Sequence, residues 1–352
     1  MQSSSIRIQE AVPLAPYTTF RIGGPARYFC EITTESALIE AVRFARQHSL
    51  PVFVLGGGSN LLVGDSGFDG LVLHIAIDAP IRPTRSGDFM DCTVMAGTDW
   101  NAFVLQICEQ GISGVECLAG IPGSVGGTPV QNVGAYGQEV ADTITSVRVF
   151  DLETDAFDDL SRDQCGFTYR RSIFNSTQRN RYIVTAVTFR FDLTAEPRLT
   201  YADLTRHFAG QNPTPIEVYH AVRAIRHSKG MLIVEGEDDC RSAGSFFKNP
   251  IVAETVLDEI AATLHISRDR IPHWQADGSL VKLPAAWLLE QAGFPKGFAL
   301  GNAGISSRHT LALINRGNAS AGDIAELRDT IRSEVKSRFN VELEQEPVQL
   351  GV

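Results

Sequence analysis

The sequence predicts an α+β protein: two glycine-loop units of mixed helix and strand, followed by a smaller α+β domain. Three observations predict it. The first third alternates helical and strand periods. Two separate runs are too rich in glycine and proline to be helix or central strand. The segment Gln211-Asn212-Pro213-Thr214-Pro215 breaks the chain ahead of a second mixed region.

Taken in order, Thr34 is placed to cap a helix whose inner face carries Leu38, Ala41, Val42 and Ala45. Pro51 ends the connection, residues 52–55 read as a short buried strand, and Gly56-Gly57-Gly58-Ser59-Asn60 follows directly. Leu61 to Gly67 continues as strand and turn. Residues 72–75 read as strand and residues 100–110 as helix, with Phe103, Val104 and Ile107 inward and Gly111 at the C-cap. Strands are expected at 146–150 and 182–191, with the acidic stretch 151–163 as a solvated loop. Thr214 and Pro215 open a helix through Tyr219, Val222 and Ile225. A long amphipathic helix carries Ile324, Leu327, Ile331, Val335 and Phe339 on one stripe, and a strand-like tail spans 341–350. The expected domains are 1–70, 71–211, 212–335 and a tail at 336–352.

Composition narrows the class. Of 352 residues, 43% are hydrophobic and 20% charged, as in an ordinary globular protein. Lys plus Arg is 31 against 41 Asp plus Glu, a net charge of −10, which argues against a broad nucleic-acid surface. No apolar run has the length of a membrane helix, and the polar first ten residues carry no signal-peptide core. Cys30, Cys92, Cys108, Cys117, Cys165 and Cys240 form no C-x-x-C pair, so buried thiols are expected rather than a metal site or disulfides. These readings point to the cytoplasm.

The first glycine loop does not fit a Rossmann fingerprint. The third glycine would stand at position 61, which is Leu61, and no helix begins there. Alone, such a run reads as a tight turn. The second run is Pro122-Gly123-Ser124-Val125-Gly126-Gly127, followed by Gln131-Asn132-Val133-Gly134-Ala135-Tyr136-Gly137. Glycine lets the backbone approach a ligand, and successive amide N–H groups can cradle a pyrophosphate. Gln131 and Asn132 offer donors and acceptors to a polar ring. Two such loops suggest one extended, phosphate-bearing cofactor.

Both loops, together with Thr18-Thr19-Phe20-Arg21-Ile22-Gly23-Gly24-Pro25-Ala26, resemble the FAD-binding half of the UDP-N-acetylenolpyruvoylglucosamine reductases, within the flavoproteins related to vanillyl-alcohol oxidase. The resemblance continues through Phe167-Thr168-Tyr169-Arg170-Arg171-Ser172, Leu199-Thr200-Tyr201-Ala202-Asp203-Leu204, Ala243-Gly244-Ser245-Phe246-Phe247-Lys248-Asn249-Pro250, Gln275-Ala276-Asp277-Gly278 and Ala286-Trp287-Leu288-Leu289-Glu290 to Glu346. It covers nearly the whole chain. It implies a two-part PCMH-type FAD-binding region plus a smaller α+β substrate-binding domain. It also implies non-covalent FAD, NADPH as co-substrate, and reduction of the enolpyruvyl group of UDP-N-acetylglucosamine enolpyruvate in peptidoglycan synthesis. FAD contacts would come from Gly56, Gly57, Gly58, Ser59, Asn60, Pro122, Gly123, Ser124, Gly126, Gly127, Gln131, Asn132, Gly134, Ala135 and Tyr136.

By motif position the resemblance assigns Ser245 as proton donor, with Arg170 and Glu346 stabilising the negative charge of the reacting enolate. Substrate contacts would be Tyr201, Lys229, Asn249, Lys296 and His309. The residues taken alone allow plainer readings. A Ser after Gly is often a loop residue, Arg170 suits a surface ion pair, and Tyr201 a half-buried strand aromatic. Glu342, Glu344 and Glu346 alternate as a solvated strand face would. Lys229 suits the C-terminal dipole of the preceding helix as well as a phosphate. The tail reads Glu-Gln-Glu-Pro-Val where the family more often has Glu-Pro-Glu-Val. After Lys229, Gly230-Met231-Leu232 and an acidic stretch at 235–239 replace the commoner Lys-Leu-Pro pattern.

Overall fold

In the computed structural model, which describes residues 6–351, the expected helices form where their periods place them. Thr34 caps helix Glu35–Gln47, its hydroxyl accepting from the Ala37 amide at 3.1 Å. Asp99 does the same for Trp100–Glu109, and Gly111 leaves that helix at φ +74°. Residues 1–5 of the polar N-terminus lie outside the described residues. The fold class is α+β, as the sequence predicts.

The described chain forms two units. The first comprises the chain up to Val12, Ala26–Gly58 and Asp69–His227. Strands Ile8–Pro13, Pro25–Ile32, Phe68–Ile75 and Val52–Leu55 lie side by side in that order in one sheet. A second sheet, all antiparallel, has the order Ala156–Ser161, Ile144–Asp151, Tyr182–Asp192, Phe89–Met95, Thr84–Ser86. Its core includes Trp100, Phe103, Phe189 and the inner face of the first helix. The helix opened by Thr214 and Pro215 spans Pro215–Ser228. It sets Val218, Tyr219 and Val222 into this same core, and the division between the units falls after it, at His227–Ser228.

The acidic stretch 151–163 is not an open loop: Ala156–Ser161 is an edge strand paired with Ile144–Asp151. Its acids Asp158 and Asp159 are exposed, while Leu160 is buried and the Phe157 ring lies 5.1 Å from that of Phe150. The packing of Leu160 and Phe157 outweighs the low strand propensity of aspartate. Charge on such an edge also discourages pairing with another chain.

The second unit joins Pro13–Pro25 and Ser59–Phe68 to the chain from Ser228 onward. Phe20, Ile22 and Leu62 share its core with Phe246, Phe247 and the stripe Ile324, Leu327, Ile331, Val335, Phe339. Strand Leu61–Val63 pairs in parallel with the tail strand Val348–Leu350. Helix Ala321–Phe339 starts on a capping box from Ser320 and Asp323. Its Ala321 and Gly322 amides donate to the Asp65 carboxylate at 2.8 and 3.0 Å. The side chain of Asn315 donates to the Phe20 carbonyl at 3.0 Å.

All six cysteines are buried. Burial pushes the Cys30 thiol up to about 11 and those of Cys92 and Cys165 to about 12, so they behave as small apolar groups. Among the described residues no helix is long and apolar enough to cross a membrane, and no group of His, Cys, Asp and Glu is placed to hold a metal.

Candidate active site

The first unit brings the two glycine loops into backbone contact. A Cβ on Gly57 would stand 2.4 Å from the Gly123 Cα and 3.2 Å from the Ser124 nitrogen. One on Gly56 would stand 3.1 Å from the Ser124 hydroxyl. Side chains are therefore excluded where the loops meet, which is the reason for glycine here. Gly58 and Gly123 have φ of +60° and +133°, backbone that L side chains resist. The second loop is anchored by Trp100 N to Gly123 O at 3.0 Å and Val125 N to Thr98 O at 2.9 Å. Gly57 and Gly127 are exposed, and a Cβ on Gly127 would meet nothing within 4 Å. A braced, bare backbone with an open side fits the pyrophosphate of a dinucleotide cofactor.

Arg226, near the end of helix Pro215–Ser228, lies half-buried beside the second loop. Its Nε donates to the Gly120 carbonyl at 3.1 Å. Burial lowers its pKa, and a hydrogen bond with Tyr136 offsets part of that. Tyr136 in turn packs edge-on against Tyr201, ring centroids 5.2 Å apart. Tyr201 is 43% exposed, so one face of this pair is open to a ligand. Periodicity gives no sign of Arg226's place, because a helix-end arginine is ordinarily solvated.

Arg170 also belongs to the first unit. It sits at φ +55° in a tight turn closed by mutual backbone hydrogen bonds between Thr168 and Arg171. For a non-glycine residue that conformation costs roughly 1–2 kcal/mol, so the surroundings must impose it. Its guanidinium donates to the carbonyls of Asn132 and Gly134. Gln131 lies in the same loop. Ala135 pairs with Gln138, and Gly134 with Glu139, in a two-residue hairpin ladder.

The second unit holds Ser59, Asn60, Lys229, Ser245, Asn249, Lys296, His309 and Glu346. Ser245 is half-buried between the buried Ala243 and Phe246. The turn before it is braced by Thr19, whose hydroxyl donates to the Ser242 carbonyl at 2.6 Å. The Thr18-to-Pro25 motif thus supports the loop that carries Ser245. Phe246 is held from both sides: its amide donates to Leu311 O at 2.8 Å, and its carbonyl accepts from Glu346 N at 2.9 Å. Lys248 N donates to Glu344 O at 2.9 Å, and Phe247 pairs with Gln345. This short ladder fixes the tail's register, with Glu346 opposite the residue after Ser245.

Lys229, Lys296 and His309 form a cationic cluster. Burial, then the positive charges of Lys229 and Lys296, push the His309 imidazole down to about 4, with Glu290 acting the other way. His309 is therefore neutral near pH 7. Its Nδ1 accepts from the Leu311 amide at 3.1 Å, which puts the proton on Nε2 as a donor. Two ammonium groups beside a neutral donor suit a diphosphate. The acidic stretch after Lys229 folds back here: Arg308 pairs with Glu237 and, at 3.2 Å, with Asp239. Asp239 also accepts from the Ser307 amide and hydroxyl at 3.0 and 2.6 Å. Asn249 uses its Oδ1 to accept from the Ala285 amide at 2.9 Å, at the start of helix Ala285–Gln291.

Comparison with known proteins agrees with these features. Residues 26–155 match the model of an FAD binding domain, and residues 236–350 match that of the UDP-N-acetylenolpyruvoylglucosamine reductase C-terminal domain. The UDP-N-acetylenolpyruvoylglucosamine reductase of Thermobifida fusca is 43% identical over 97% of each chain. That of Nocardia farcinica is 41% identical over 100% of this chain and 92% of its own. The crystal structure of the enzyme from Thermus caldophilus superposes with a TM-score of 0.67 at 27% identity, covering 98% of this chain and 100% of its own. On this likeness the chain belongs to the UDP-N-acetylenolpyruvoylglucosamine reductase family.

Proposed function

We propose that this protein is an FAD-dependent oxidoreductase. It uses NADPH to reduce the enolpyruvyl ether of UDP-N-acetylglucosamine to UDP-N-acetylmuramate for peptidoglycan synthesis. The observation that carries this is likeness over nearly the full length to relatives of that name. The glycine loops that meet without side chains and the Lys229–Lys296–His309 cluster support it. The work belongs in the cytoplasm, where NADPH and nucleotide sugars are kept, and serves cell shape and division through the wall.

Bound FAD would supply the hydride chemistry, carrying a hydride from NADPH to the terminal methylene of the enolpyruvyl group. The loops at 56–60 and 122–127 would hold its pyrophosphate on backbone amides, with Gln131, Ala135 and Tyr136 nearby in sequence. Lys229, Lys296 and the Nε2–H of His309 bind the substrate diphosphate, and Tyr201, Asn249 and the braced loop shape the rest of that site. For the charge that develops on the carbon beside the carboxylate, the family resemblance assigns Arg170, with its fixed fork of donors, and assigns Glu346 to orient the enolate. Ser245 then gives its proton to that carbon, completing the addition of one hydride and one proton across the double bond. Residues 1–70 and 71–211 would form the cofactor-binding part, 212–335 the substrate part and 336–352 the tail that supplies Glu346.

Anaerobic titration tests the reading. NADPH should bleach the flavin of the purified protein, and the enolpyruvyl substrate should restore its colour with one UDP-N-acetylmuramate formed per flavin. Reoxidation by oxygen alone, with no response to the substrate, would sink it.

A further inference from the structure

Asn132 falls in the second glycine run, where the resemblance makes it a flavin contact, yet its side chain is committed elsewhere. It is 1% exposed and sits at φ +46°. Its Nδ2 donates to Glu139 Oε2 at 2.7 Å and to the Thr168 carbonyl at 3.1 Å. Its Oδ1 accepts from the Ala141 amide at 3.2 Å. A carboxamide has two N–H donors, and both point into the protein here. Thr168 is the residue that closes the turn around Arg170. The backbone carbonyl of Asn132 also accepts from Arg170 Nη1 at 3.4 Å.

Gly134 completes the arrangement. Its carbonyl accepts from Arg170 Nη2. A Cβ there would stand 2.8 Å from Arg170 Nη1, and also 2.8 Å from the Gln138 carbonyl. The bare α-carbon is thus the space in which the guanidinium lies.

We propose that Asn132 and Gly134 are positioning residues for Arg170. Asn132 ties the Thr168–Arg171 turn to the hairpin at Glu139, which holds Arg170 in its left-handed conformation. Two carbonyls of the same segment then aim the guanidinium. Aspartate at 132 lacks the donors, glutamine carries its carboxamide one methylene too far for these partners, and any side chain at 134 displaces the fork. This rests on the reading of Arg170 as the group that meets the substrate's developing charge.

The test uses the flavin-loaded protein with Asn132→Ala, Arg170→Ala and both together. Flavin content after acid release, reduction by NADPH and reoxidation by the enolpyruvyl substrate are measured separately by rapid mixing. Asn132→Ala should keep its flavin and its rate of reduction by NADPH. Its reoxidation should slow about 10²-fold, the cost of a misplaced catalytic group. In the Arg170→Ala background the same change should add little, because both act on one interaction. Should Asn132→Ala not fold, the isosteric Asn132→Asp loses the same donors and should show the same split. Loss of flavin with normal reoxidation of the remaining holoenzyme, or fully additive effects, would overturn the proposal. If Arg170→Ala is slow but the Asn132 variants are normal, the inference alone fails. If Arg170→Ala reoxidises normally, the reading of Arg170 fails with it.

Discussion

The Glu346 amide donates to the Phe246 carbonyl at 2.9 Å, setting the acidic tail against the residue that follows Ser245. Two residues earlier in the tail, Glu344 sends its side chain to Lys248, and Glu342 pairs with Lys336 at 3.2 Å. Glu342 and Glu344 are exposed, and Glu346 is half-buried.

Glu346→Gln should therefore slow reoxidation of the reduced flavin by substrate, by about 10²–10³-fold as for loss of a preorganised charge-stabilising group. Glu344→Gln loses only a surface ion pair, worth about 0.2–1 kcal/mol of stability, and should react at a near-normal rate. Single-turnover rates for both variants check the ranking. The reverse order would mean that the working carboxylate sits two residues earlier.

Ser245→Ala should keep its flavin and be reduced by NADPH at a near-normal rate, because the proposed proton transfer belongs to the second half-reaction. Reoxidation by substrate should fall by about 10²–10⁴-fold, the usual worth of general acid catalysis. Ser245→Cys, which retains a proton donor, should regain part of the rate. Equal slowing of both half-reactions would make Ser245 a structural loop residue.

Gly57→Ala should weaken FAD binding more than Gly56→Ala. The new methyl at 57 meets the Gly123 backbone, which cannot turn aside, whereas that at 56 meets the Ser124 hydroxyl, which can. Fluorescence titration of the apoprotein with FAD gives the two affinities. Acid precipitation of the unaltered protein should release all its yellow colour, as non-covalent binding requires.

His309 sets a pH dependence of stability. Its pKa in the folded protein is pushed down to about 4, against about 6.5 when unfolded. Between those values the unfolded chain binds more protons, so stability rises with pH across this window and is lost as pH falls through it. Thermal unfolding from pH 7 to pH 4 should show a decline that is shallower in His309→Gln. Identical slopes would mean that the imidazole is not held neutral.

The sequence by itself determined the helices and their buried faces. Thr34 and Asp99 caps, the 321–339 stripe and the Gly111 exit are local, set by side chains a few residues apart. It also marked the glycine loops, since only glycine suits such backbone, and by resemblance the family and its chemistry. Tertiary structure decided how those pieces are used. The acidic stretch became an edge strand because Phe157 and Leu160 found partners distant in sequence. The Thr18-to-Pro25 motif went to the second unit because Phe20 and Ile22 pack with Phe246, and Thr19 braces Ser242. The positions of Asn132 around Arg170 and of Lys229 and Lys296 around His309 depend on contacts between residues tens of positions apart. Such contacts leave no periodicity in the chain, because burial and hydrogen-bond geometry select them only once the backbone has folded.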